Sequence, residues 1–245
     1  MNEFEVAAWE RYAGITWGFV SDGQFQTWDE IYTCPVDIDG KGNTTLRPGD
    51  IKYKDLNSDG VINHYDTRPI GFSQGTLPLL NFGFNVNLQW KGFDLSADFT
   101  GGCFGTYRVD FEICRPYWDG GNTAAYVLKN SWKLKDITDE SKGYIPGYFP
   151  MAVEGRTDHS NYWASDYWMV NVAYAKLRNC EFGYTLPLKA SSWAGMSKAR
   201  IYLFGQNLFS IDNLGLYEVD PEIAETNSIV YPTNRVFGVG AKITF

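Results

Sequence analysis

The chain has little of what metal and nucleophile chemistry usually needs. It carries two histidines and four cysteines in 245 residues. Cys34, Cys103, Cys114 and Cys180 show no C-x-x-C spacing, which excludes the common zinc frameworks. Cations are outnumbered, with 21 Lys and Arg against 29 Asp and Glu, and the net charge of −8 argues against a nucleic-acid partner. No run of about 18 apolar residues is present, so no transmembrane helix is predicted. The opening residues MNEFEVAAWERYAG lack the basic start and apolar core of a secretion signal. Those absences alone would place the chain in the cytosol; the pattern of its strands overrides that reading.

What the sequence does have is aromatic and β-forming. Hydrophobic residues make up 44% of the chain and aromatics 17%, with 25 glycines, yet the mean hydropathy is negative. Apolar side chains diluted by Asn, Asp, Ser, Thr and Gly are the composition of alternating sheet strands. The length suffices for one or two domains with a sizeable core. Cys103 and Cys114 could close a short disulfide in an oxidising compartment, a pairing the sequence leaves open.

One short motif stands out. Asp55 to Asp66 (DLNSDGVINHYD) has the ligand spacing of an EF-hand-type calcium loop, with Asp55, Asn57, Asp59, Asn63 and Asp66 as side-chain ligands and Val61 as the backbone ligand. Gly60 would supply the sharp bend. The last ligand is Asp where Glu is usual, and its shorter reach points to weaker coordination. An Asx-rich turn without metal gives the same pattern. The flanks are not the helices of a calcium sensor: residues 47–54 alternate as a short strand, and Thr67 to Gly75 is broken by Pro and Gly.

The strands carry the fold. In residues 81–90, Phe82, Phe84, Val86, Leu88 and Trp90 face one way and Asn81, Gly83, Asn85, Asn87 and Gln89 the other. A tight turn at Lys91-Gly92 leads into a second strand at 93–102, and further strands are expected at 174–186 (with weaker alternation), 200–207 and 236–245. A β-sandwich would also alternate. These strands, however, run to about ten residues, the length that a tilted strand needs to cross a bilayer. Aromatics also sit at their ends (Phe82 and Trp90, Phe93 and Phe99, Phe237 and Phe245), as in the girdles of outer-membrane barrels. If the last strand ends in the periplasm, Lys91-Gly92 and 187–199 fall on that side. The long segments 103–173 and 208–235 fall outside, as does the Asp55–Asp66 loop. That distribution of short and long connections is the one such barrels use.

These residues resemble a known family. GDIKYKDLNSDGVINHYD, the following D-x-R-P-I-G and PLLNFGFNVNLQWKGFDLSADFTG are similar to the C-terminal part of SusC/RagA-type TonB-linked outer-membrane transporters of Bacteroidetes. YAKLRNCEFGYTLP, ARIYLFGQNLFSI, VDPE, YPTNR and GVGAKITF resemble that family's last strands and loops, and WGFVSDGQFQTWDEI the segment before them. The resemblance implies an all-β fold, with five or six strands of an antiparallel transmembrane barrel of about 22 strands. Residues 1–80 would be an extracellular loop region, residues 81–245 barrel strands and loops, and the plug domain and TonB-contacting segment would be missing. It implies TonB-energised import of oligosaccharides or peptides across the bacterial outer membrane, a SusD-like surface lipoprotein as partner, the TonB complex reached through the missing part, and lipid against the barrel. No catalytic role is implied.

The remaining residues are read plainly. His64, inside the loop, and His159, in a polar loop, are expected to be ordinary solvated side chains with no nucleophile motif nearby. Asp220-Pro221-Glu222 reads as a turn rather than an acid–base pair. The aromatics of 103–173 could stack on sugars, but are expected to pack on one another. Asp94, Asp98, Lys176, Arg178, Arg200 and Lys242 would be costly against lipid and are expected to face the lumen or lie near the interface. The competing readings are a secreted calcium-stabilised β-sandwich that binds carbohydrate and a glycosidase fragment. A sandwich would bury Phe82, Phe84, Leu95, Phe237 and Val239 between two sheets, and a glycosidase needs two carboxylates across a cleft.

Overall fold

The computed structural model describes residues 15–72, 77–156, 158–193, 195–222, 231 and 233–245. The opening segment searched for a secretion signal and parts of the 67–75 and 208–235 segments lie outside these residues. In chain order the strands are β1 (Thr16–Gly18), β2 (Ser21–Gln24), β3 (Ile51–Tyr53), β4 (Arg68–Ile70), β5 (Leu80–Trp90), β6 (Phe93–Arg108), β7 (Lys133–Leu134), β8 (Tyr144–Ile145), β9 (Met169–Thr185), β10 (Lys198–Asp212) and β11 (Val236–Thr244). Three short helices join them: α1 (Trp28–Tyr32), α2 (Ala125–Asn130) and α3 (Leu188–Trp193). No helix among the described residues is long and apolar enough to cross a membrane.

The five long strands form one antiparallel sheet in the order β11-β10-β9-β6-β5. All five expected strands are present, and β6, β9 and β10 run to 16, 17 and 15 residues. They therefore reach further into the long connections than their alternation alone indicates. The β5–β6 hairpin closes through Lys91 and Gly92, both at positive φ (46° and 88°). Such a turn matches the twist of the strands that it joins.

Alternation puts two chemically different faces on this sheet. On one, cross-strand pairs stack Phe84 with Phe99, Leu88 with Leu95, Leu95 with Phe182, Phe182 with Leu203 and Leu203 with Val239. No second sheet covers it among the described residues. Phe237 and Val239 are 73% and 71% exposed, and Phe82, Phe84 and Phe182 are exposed as well. The sandwich reading fails on this observation.

The weak alternation of β9 has a local cause. Asn179 pairs with Asp98 and Leu177 with the adjacent Phe99, so Arg178 is an extra residue, a β-bulge. The bulge shifts the phase, so Ala175 and Leu177 share the apolar face with Cys180, Phe182 and Tyr184 although their spacing is odd against even.

The long connections, 109–168 and 213–235, leave the same end of the sheet, and the short ones leave the other. At the long-connection end the chain builds a cap with its own hydrophobic core. Phe25, Ile31, Leu46, Ile51, Tyr53, Ile62, Tyr107, Ile113, Val127, Phe149, Tyr162, Trp168, Leu214 and Tyr217 belong to one buried cluster. The expectation that the aromatics pack on one another holds for most: Trp168 contacts the rings of Phe149, Tyr162 and Tyr167, and Tyr148 stacks on Tyr167 although it is exposed, as Tyr117 is. Cys103 and Cys114 are both free, and Cys114 is buried in this core. The disulfide that the sequence allows is not formed.

Trp168 sits at the centre of the cap, and its Nε1 donates to the carbonyl of Asn161 at 2.6 Å. Trp168→Ala is expected to destabilise the cap by about 3–5 kcal/mol, through the cavity and the lost ring contacts. Denaturant unfolding of the chain, followed by tryptophan fluorescence, checks this.

Candidate functional site: the polar face and the outer cap

The second face of the sheet gathers the charged strand residues. Asp94, Ser96, Asp98 and Thr100 of β6 stand beside Gly183, Glu181, Asn179 and Lys176 of β9, and Arg200 pairs across β10–β11 with Lys242. All six charged positions that the sequence flags are thus on the face away from the apolar surface. Burial against lipid would cost each of them several kcal/mol or force it to snorkel.

These charges are cross-linked. The Arg200 guanidinium is bound by Asp94, with its Nε donating to Oδ1 at 3.0 Å, and by Glu181 at 2.6 Å. It lies across Gly183, where a Cβ would collide with it. A side chain at Gly183 would therefore require the Arg200 guanidinium to shift. The same logic explains the alternating glycines of β11: Phe204 covers Gly238 and Tyr202 covers Gly240. Rings lying over strand glycines restore the packing that the missing side chains forfeit.

A second group ties the cap to this face. Lys176, only 5% exposed, binds both Asp220 and Glu222, the latter at 3.0 Å, and Arg178 binds Glu222. Asp220-Pro221-Glu222 is a turn, as the sequence indicates, and its carboxylates clamp two cations of β9. Burial pushes the Asp220 carboxyl up, but hydrogen bonds from Lys176 and Thr233 outweigh it and hold it below the usual range. A cavity of about 260 Å³ opens beside this clamp, lined by Lys176, Asn207, Ser210, Asp220, Thr233 and Arg235 among others. Sequence reasoning did not find this clamp, because its halves lie more than forty residues apart.

In the cap, the expectation for His159 is overturned. Its side chain is 9% exposed rather than solvated. It sits in a network centred on the fully buried Asp50, which accepts from Arg156 Nη2 at 2.7 Å, Asn161 Nδ2 at 2.7 Å and the Arg47 amide at 2.8 Å. The Arg156 Nη2 stands 2.6 Å from the His159 Nε2. Nothing in the polar string RTDHSN marks this burial, because the acid that organises it lies about a hundred residues upstream. His64 is exposed and its ring lies against Tyr65, as expected of a side chain without a site role.

The Asp55–Asp66 loop lies at the cap end of the chain. Gly60 takes φ +83°, the bend that the motif requires. Asp55 accepts from the amides of Ser58, Asp59 and Gly60, at 2.6, 3.3 and 2.8 Å. Asp59 Oδ2 accepts from the amides of Asn57 and Asn63 at 2.9 and 3.1 Å, and the Asn57 bond leads the interactions that hold the Asp59 carboxyl below its usual range. Asn57, Asp59 and Asn63 therefore come together at the surface. Asp66 is buried, and its two oxygens accept from the amides of Leu56 and Asn63, each at 2.8 Å. Val61 bridges to Asp37. No three acidic, His or Cys side chains converge in a metal-binding group among the described residues.

The His159 environment has a pH consequence. Burial, and then the neighbouring Arg156, lower its pKa against the pull of Asp50. The folded chain therefore keeps His159 neutral where the unfolded chain would protonate it. Its stabilising contribution is complete above about pH 6.5 and is lost as pH falls towards the folded value. The cap should melt at a lower temperature at pH 5 than at pH 7.5, and His159→Gln should shrink that difference. Thermal melting of both proteins at the two pH values measures it.

No family model matches the chain. It is 27% identical over 210 residues to TonB-dependent receptor P26 of Formosa agariphila, covering 80% of this chain and 20% of that protein. It is 26% identical over 220 residues to TonB-dependent receptor P3 of the same organism, covering 84% and 20%. The chain thus spans about a fifth of the length of these curated relatives. Among solved structures, its fold is similar to a chain of the RagAB peptide transporter, with TM-score 0.61 and 18% identity over 96% of this chain and 23% of that one. A second RagAB structure, the peptide importer in its closed-closed state, gives TM-score 0.59 and 20% identity over 96% of this chain and 23% of that one. Relatives and fold agree with the resemblance carried by the motifs: the chain is similar in sequence to a portion of TonB-dependent receptors and in fold to a portion of a RagAB chain.

Proposed function

We propose that the chain forms part of the wall and outer cap of an outer-membrane nutrient importer, with oligosaccharides or peptides as cargo. The observation that carries this reading is the uncovered apolar face spread over five strands of 9 to 17 residues, with Asp94, Asp98, Lys176, Arg178, Arg200 and Lys242 on the opposite face. Hydrocarbon is the surrounding that such a face requires, and closure with further strands would remove the free edges of β5 and β11. In this reading the cap end is extracellular and serves cargo and a SusD-like lipoprotein. Energy comes from the TonB complex through the rest of the receptor. The name of the RagAB peptide importer supports a peptide cargo by analogy of fold alone.

In the native host, deleting the gene should abolish growth on one class of oligosaccharide or peptide. Unchanged growth and uptake on all of them would sink the transport reading. Val239→Arg on the apolar face should lower the amount of receptor in the outer membrane, at a cost of about 2–4 kcal/mol, while Ser96→Lys, facing Glu181 on the other face, should leave it unchanged.

The Asp55–Asp66 loop enters this proposal as a structural calcium site of the outer cap. Its support is the ligand spacing, the Gly60 bend and the surface meeting of Asn57, Asp59 and Asn63. As arranged, the two amides present Nδ2 to Asp59, so a cation requires each amide to turn its oxygen inward. Asp66, engaged by two backbone amides, would add to the site at most weakly. Calcium at millimolar concentration is expected to raise the melting temperature of the chain, and Asp59→Asn to remove that rise. An identical melting curve in calcium and in chelator would count against the site.

A further inference from the structure

Resting on the membrane reading above, the short-turn end of the sheet carries a feature that cargo transport does not need. Trp90 closes β5 at 67% exposure, and α3, in the connection between β9 and β10, presents Leu188 at 72% and Trp193 at 92%. All three side chains are largely open to their surroundings. Trp90 continues the apolar face, and Lys91 lies over its ring at 4.9 Å.

Cations collect at the same end of a chain whose net charge is −8. Lys91, Lys189 and Lys198 are exposed and form no ion pair among the described residues. The acidic side chains there, Asp94 and Glu181, are both bound to Arg200. An open hollow of about 460 Å³ lies at this rim. Trp90, Lys91, Phe93, Asp94, Lys198 and Arg200 are among its lining residues, and Asp94 is the one acid in it. Exposed tryptophan and leucine beside unpaired lysines make up the composition of a segment lying in the headgroup layer of a bilayer.

We propose that this rim binds anionic phospholipid: Trp90, Leu188 and Trp193 settle at the acyl boundary, and Lys91, Lys189 and Lys198 hold the headgroup phosphate. The exposed apolar side chains favour a lipid over an acidic polypeptide, which would match the lysines and leave Trp193 and Leu188 in water. The site would anchor the wall to the phospholipid leaflet at its short-turn end and fix the depth of the strands.

The test uses the whole 245-residue chain in detergent micelles, with lipid adducts counted by native mass spectrometry. Phosphatidylglycerol is expected to bind roughly tenfold better than phosphatidylcholine, in line with attraction by several lysines. Lys91→Gln/Lys189→Gln/Lys198→Gln should bring the two lipids close to parity, and Trp193→Ala should weaken both. Lys189→Gln alone, on the exposed face of α3, serves if the triple variant does not fold. Equal binding of the two lipids by the unaltered chain would overturn the proposal while leaving the membrane wall intact. Failure to bind either lipid would overturn the wall reading as well. Displacement of phosphatidylglycerol by millimolar inorganic phosphate or by a polyglutamate peptide would make the rim a simple anion or protein site, and would also overturn the proposal.

Discussion

The structure depends on one constraint: a five-stranded sheet whose apolar face finds no partner among the described residues. In water that face would expose Phe, Leu, Val and Ile side chains across its whole width, at roughly 25 cal/mol for each Å². A soluble protein resolves such a cost with a second layer. Here the chain beyond the sheet is spent on a cap at one end, with its own buried core, and the face is left to its surroundings. The sorting of charge follows. Asp94, Glu181 and Arg200 form one cluster, and Lys176, Arg178, Asp220 and Glu222 another, both on the opposite face.

The cap and the wall are joined where strands outgrow the sheet. β6 and β9, still paired with each other, extend past their pairing with β5 and β10 to place Tyr107 and Val172 inside the cap core. The cap therefore stands on the wall as a continuation of its strands. The Lys176–Asp220–Glu222 clamp adds a second fastening from the polar side. Each tie joins segments distant in sequence, which gives the cap a fixed position beside the polar face.

The alternating strands, the two-residue turn, the terminal aromatics and the placement of six charged residues away from the apolar face were all legible from local periodicity. A strand's side chains take opposite faces by geometry alone, and the bilayer or core then selects the phase. The free Cys103 and Cys114 and the buried His159 were not legible, because each depends on what another segment brings near. The β9 bulge hid its alternation for a related reason: one inserted residue changes the phase, and only its neighbours β6 and β10 reveal where.

By itself the sequence determined that this is a β protein with long two-faced strands, short connections at one end and long ones at the other, and it carried motifs that resemble those of TonB-linked transporters. These are properties of consecutive residues, set by backbone geometry and turn chemistry. Only the tertiary structure decided that the long connections share one aromatic core, that Asp50 buries His159 and Arg156, and that Asp220 and Glu222 clamp β9. Those contacts join residues from forty to more than a hundred positions apart. No local pattern encodes them, since burial and charge pairing depend on which side chains the folded chain places together.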